Sequence, residues 1–172
     1  MENPKYSFES TVFMSYEFVS EGPKGHITKL VKYTKDELTG LYNLGFGDKL
    51  GDEDDFDDKI VTNNGDTIKV LATVVATLYD FTNKYPNAII TAKGSTLSRT
   101  RFYRMGITNA FDEINKDFHV FGYLNGHWHN FERNQDYFAF SPARRLLFAT
   151  SNRRALACTT AGLADICCLL HT

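Results

Sequence analysis

The spacing of apolar residues changes period along this chain, and that change narrows the folds open to it. Between Tyr6 and Lys35 the repeat is two. Val12, Met14, Tyr16 and Phe18 share one face, while Phe13 and Glu17 fall on the other. Glu21-Gly22-Pro23-Lys24-Gly25 is a turn by composition. Beyond it, Ile27, Lys29, Val31 and Tyr33 alternate with Thr28, Leu30 and Lys32 as the returning strand. Leu41 to Gly47 reads as a third strand, with glycines where another backbone or a ligand comes close. From Thr67 to Lys84 the repeat becomes helical. Ile68, Leu71, Val75, Leu78 and Thr82 form the stripe, Val74 and Tyr79 flank it, and Asp66 or Asn64 stands at the cap. Tyr85-Pro86-Asn87 ends the helix, because proline has no backbone donor to continue it.

A buried strand follows at Ala88–Ala92, then a helix from Thr96 to about Met105. Gly106 reads as a stop, with a second helical stretch restarting near Thr108 on the apolar side of Phe111, Ile114 and Phe118. His119 to Phe131 is a hairpin around Leu124-Asn125-Gly126, an Asn-Gly pair suited to a primed turn. Ile60-Val61-Thr62 is one more short strand candidate. The order predicts an α+β fold: an antiparallel sheet of about five to seven strands, with two helical segments packed on one face.

At 172 residues, with 42% hydrophobic residues, 14 Phe and 9 Tyr, the chain has material for a core without covalent staples. A net charge of −2 argues against a general nucleic-acid coat. No run of 18 apolar residues predicts a membrane helix, and the first residues lack the layout of a signal peptide. Cys158, Cys167 and Cys168 offer neither a disulfide framework nor a zinc spacing. A cytoplasmic, reduced setting is expected. After Phe138 the composition shifts to Arg144, Arg145, Arg153 and Arg154 against Asp165 alone, with no lysine or tyrosine and every cysteine. One domain over 1–138 is therefore expected, with 139–172 as a tail. That tail is either a helical appendage striped by Leu163, Ile166 and Leu170, or a disordered extension.

Chemistry concentrates at Gly94-Ser95-Thr96-Leu97-Ser98-Arg99-Thr100-Arg101-Phe102-Tyr103-Arg104. A strand stops at a glycine, two hydroxyl residues open a helix, and three arginines follow. Such a junction offers free backbone N–H groups and cations together, which suits an anion. At 100° per residue Arg101 falls inside the arc of Leu97, Phe102 and Met105, with Arg99 and Tyr103 opposite and Arg104 at the margin. Ser95, Thr96, Arg99, Arg101, Tyr103 and Arg104 are the expected ligand-binding residues. The blander readings are ordinary N-caps for Ser95 and Thr96, and an ion pair for an inward arginine, for example with Glu17.

His127-Trp128-His129 places two histidines on one strand face, but no third ligand has helpful spacing, so no metal site is expected. Gly51 to Asp58 is strongly acidic and reads as an exposed loop, since it lacks the alternating ligands, central glycine and closing glutamate of a calcium loop. No cofactor fingerprint, nucleophile elbow or zinc ribbon is present, so no cofactor is expected and catalytic residues are not assignable.

Several segments together have a family likeness: Phe18-Val19-Ser20-Glu21-Gly22-Pro23-Lys24-Gly25, Leu41-Tyr42-Asn43-Leu44-Gly45-Phe46-Gly47-Asp48, Val61-Thr62-Asn63-Asn64-Gly65-Asp66, Lys69 through Thr77, and Gly94 through Ile107. Over about residues 5–137 the chain resembles an uncharacterised family of small bacterial proteins, a domain of unknown function. The resemblance implies a bacterial cytosolic setting and supplies no catalytic residues. By size and setting it suggests a toxin or antitoxin component, which is association and not chemistry. The leading expectation is a binding domain for a nucleotide, an RNA end or another phosphate or carboxylate. The alternatives are a protein-interaction or toxin–antitoxin-type component holding a partner protein, and an enzyme processing RNA or nucleotides.

Overall fold

A computed structural model describes residues 3–11, 14–57 and 62–145. Val12, Phe13, the strand candidate at Ile60-Val61, and residues 146–172 with their cysteines and leucine stripe lie outside the described residues. The class is α+β, with two helices and two sheets of six and three strands among the described residues.

The first sheet grows from a hairpin. Strands β2 (Ser15–Gly22) and β3 (Gly25–Lys35) pair antiparallel, closing on Gly22 and Gly25. Gly25 adopts φ +88°, which a side chain would resist. Buried Asn64 braces this turn. Its carbonyl accepts the Lys24 N–H at 2.8 Å, and its amide donates to the Gly25 carbonyl at 3.0 Å. A two-residue β1 (Glu9–Ser10) edges β2, and β4 (Tyr42–Lys49) pairs antiparallel with β3.

The far edge of β4 carries two short partners: β5 (Phe56–Asp57) antiparallel at Asp48 and Lys49, and β6 (Ile90–Thr91) parallel at Tyr42 and Asn43. The acidic segment is thus anchored at its end. Asp52, Glu53 and Asp55 are exposed, but Asp54 pairs with Lys32 and Phe56 lies over Gly45 and Gly47.

Helices α1 (Thr67–Lys84) and α2 (Leu97–Asp117) cover the face that carries Tyr16, Phe18, Val31, Tyr33, Leu44 and Phe46. Tyr33 stacks on Phe81 of α1 with ring centroids 3.9 Å apart, and burial drives the Tyr33 hydroxyl pKa upward. The buried side of α1 runs through Val70, Leu71, Val74, Leu78 and Phe81. Ile68, expected in the stripe, is 54% exposed. The stripe is rotated because Phe81 supplies the largest buried ring. Asp66 stands at the N-cap but does not cap; its carboxylate accepts hydroxyl hydrogens from Tyr6 at 2.8 Å and Ser20 at 2.7 Å.

Gly106 is not a stop. Helix α2 runs through it unbroken, and a Cβ there would lie 3.3 Å from Leu71 of α1. The glycine lets the two helices approach closely where they cross. The second sheet has the order β8-β7-β9, from β7 (Phe118–Leu124), β8 (His127–Asn130) and β9 (Ala139–Arg144). Asn125 and Gly126 both have positive φ, as a primed hairpin turn requires. The compositional break at Phe138 precedes β9, which pairs along β7 and joins the first sheet through reciprocal bonds between Ala92 and Phe140 of 2.8 and 2.9 Å. No helix among the described residues is long and apolar enough to cross a membrane.

Candidate functional site

Among the described residues, β6 covers the outer edge of strand β4 as far as Asn43, β5 pairs at Asp48 and Lys49, and residues 44–47 have no strand neighbour on that side. Buried backbone carbonyls need partners, and here α2 supplies them from side chains. Arg99 donates through Nη1 to the Phe46 carbonyl at 2.7 Å and through Nη2 to the Asp57 carbonyl at 2.9 Å. Tyr103 donates its hydroxyl to the Leu44 carbonyl at 3.0 Å, and its ring meets Phe46 edge-on at 5.3 Å. Residues four apart on a helix share a face, and carbonyls two apart on a strand share an edge. The two spacings match, so one face of α2 fastens onto the open stretch of β4.

The chain reaches this position through the tight passage Lys93-Gly94-Ser95. Gly94 lies against the backbone of Arg99 and Thr100, leaving no room for a Cβ. Thr96 then caps α2, its hydroxyl accepting the Arg99 N–H at 3.3 Å. Between this passage and the β4 edge lies an open groove of about 450 Å3. Asn43, Gly45 and Phe46 of β4 and Phe56 of β5 line it together with Lys93, Gly94, Ser95, Arg99 and Tyr103. Among the described residues two cations and no carboxylate line it.

The six expected binding residues therefore divide. Ser95, Arg99 and Tyr103 line this groove, and Thr96 is the helix cap beside it. Arg101 is not core-facing. It is exposed, and Arg99 is the inward arginine at 6% exposure. The arc expected to face inward, through Leu97, Met105 and Phe102, faces outward at Leu97, which is 81% exposed, and at Met105. The polar anchoring of Arg99 and Tyr103 sets the true inner face. Arg101 and Arg104 line another groove with Leu97, Ser98, Thr100, Asp136 and Tyr137, where Arg104 pairs with Asp136. Glu17 meets Lys49 at 2.7 Å and no arginine. His127 and His129 are both exposed on β8.

Sequence reasoning missed Asn43, Phe56 and Lys93. The glycines at 45 and 47 were the available signal: what approaches them is Phe56, whose ring would lie 2.6 Å from a Cβ at Gly45. Also missed was a buried ionic cluster behind Arg99. Lys29 pairs with Asp48, which accepts the Thr62 hydroxyl, at a cavity of about 50 Å3 that Arg99 also walls. Its signal was Lys29 alternating in phase with Val31 and Tyr33.

Fold and groove together define a small α+β domain whose second helix is anchored into a gap in its main sheet. Residues 2–145 match the Family of unknown function (DUF6934), and the chain belongs to that family. No curated protein and no solved structure matches the chain.

Proposed function

We propose that the chain is a binding domain for a small anionic ligand bearing phosphate or carboxylate, held in the groove at the β4 edge. The observation that carries this reading is charge: Lys93 and Arg99 both line the groove, and no described carboxylate does. The start of α2 adds the positive end of a helix dipole, and Ser95 adds a hydroxyl. Arg99 is already fastened to two carbonyls, so it shapes the groove and contributes field, while exposed Lys93 is the cation that closes on a ligand's anionic end. A groove of about 450 Å3 suits a small metabolite better than a macromolecular surface.

Thermal unfolding with inorganic phosphate, nucleoside monophosphates and dicarboxylates tests the reading. A ligand at about a hundred times its Kd stabilises by about 2.7 kcal/mol, which raises Tm by roughly 5–11 °C for a chain of this size. Lys93→Glu, on an exposed side chain, is expected to abolish the shift without lowering the unliganded Tm. Equal stabilisation of Lys93→Glu and the parent would remove the groove as the binding site.

A further inference from the structure

We infer that this chain self-associates head to tail, with the acidic 50–55 loop of one copy seated in the groove at Arg101 and Arg104 of the next. This contact lies outside the anion groove at β4 and stands on separate observations.

The inserting part is preformed. The Leu50 N–H donates to the Asp55 carbonyl at 3.0 Å and the Glu53 N–H to the Leu50 carbonyl at 3.1 Å, so the loop closes on itself. Lys32 ties it to β3 by pairing with Asp54 at 3.4 Å. Leu50, Asp52, Glu53 and Asp55 are all exposed, and among the described residues Asp52, Glu53 and Asp55 form no ion pair. A loop of fixed shape loses little conformational freedom when it docks.

The receiving part complements it. A groove of about 470 Å3 is lined by α2 residues from Leu97 to Arg104 together with Asp136 and Tyr137. Arg101 is exposed and, among the described residues, forms no ion pair. Arg104 holds Asp136, whose side chain is 89% exposed, so a carboxylate arriving from solvent can take its place. Leu97, exposed at the start of α2, offers apolar contact for Leu50. An apolar residue beside carboxylates thus meets an apolar residue beside guanidiniums. Loop and groove are different patches of one chain, so the contact is heterologous and propagates into rings or filaments. One loop buries little area, which makes the association weak and dominated by charge.

Sedimentation velocity of the full chain from about 10 to 500 µM, at about 20 and 300 mM NaCl, tests this. The parent is expected to grow with concentration at low salt, with affinity falling at least about tenfold at high salt. Arg101→Glu, and Asp52→Asn combined with Glu53→Gln, should each weaken association at least about tenfold while keeping the parent's circular dichroism. An equimolar mixture of these two variants should form a dimer with the parent's affinity and grow no further, because one copy keeps the only intact groove and the other the only intact loop. Lys93→Glu should associate like the parent. A parent that stays monomeric at low salt, an Arg101→Glu variant that associates like the parent, or folded variants that fail to dimerise on mixing overturns the inference.

Discussion

Replacing Arg99 and Arg101 separately by alanine gives opposite expectations for two arginines two residues apart. Arg99 is 6% exposed, and its guanidinium donates to the Phe46 and Asp57 carbonyls at 2.7 and 2.9 Å. A hydrogen bond from a charged donor contributes about 1.5–3 kcal/mol, and its loss leaves a buried acceptor unpaired. Two such losses put Arg99→Ala at about 3–5 kcal/mol, discounting for water entering the vacated space. At roughly 2–4 °C per kcal/mol, the Tm falls by roughly 6–20 °C. Arg101 is exposed, so Arg101→Ala should stay within about 0.5 kcal/mol of the parent. Urea unfolding followed by circular dichroism measures both, with unchanged slope confirming that the same transition is compared. A larger loss for Arg101→Ala than for Arg99→Ala would refute the assigned rotation of α2 and the anchoring of β4 by Arg99.

Gly106→Ala should be tolerated within about 1 kcal/mol, because helix propensity gained offsets the crowding of Leu71 at 3.3 Å, whereas Gly106→Leu should lose about 1–3 kcal/mol; a strongly destabilised Gly106→Ala would mean a left-handed helix stop. Gly122→Ala places a methyl into the Tyr137 ring and should lower the urea midpoint markedly, by at least the overpacking cost of about 1–3 kcal/mol. Burial first, and the neighbouring Arg145 second, hold the His119 pKa below its ordinary 6.5. The unfolded chain then binds more protons, so His119 makes stability fall as pH drops through 6.5, levelling below the folded-state pKa. His119→Gln should flatten that part of the pH profile, and an unchanged profile would assign the dependence to other groups.

Much of the architecture was legible because local signals agreed with one another. The Gly-Pro-Lys-Gly turn, the Asn-Gly turn and the Pro86 terminus each specify backbone geometry within a few residues, and each stands where expected. Rotation of the helices was less legible. An apolar residue at a helix start counts toward a stripe in sequence, yet Leu97 and Ile68 both face outward. In α2 the inner face near its start is set by Arg99 and Tyr103, whose polar atoms satisfy a strand edge, and a hydrophobic stripe cannot report that. Gly106 misled for a related reason: an isolated glycine signals either a stop or a close helix crossing, and only Leu71 on the other helix decides between them.

The groove was illegible for a topological reason. Its walls come from β4, β5, the passage after β6 and α2, so residues 43, 45, 46, 56, 93–95, 99 and 103 meet across long sequence gaps. Among the described residues, two short strands flank β4 at its ends, and the Leu44 and Phe46 carbonyls between them are met by side chains of α2. The inward turn of Arg99 and Tyr103, and the groove beside them, follow from that arrangement. The acidic segment enters the same account: its charged tip stays in water while Phe56, the apolar residue within it, crosses the glycines and becomes a wall of the groove.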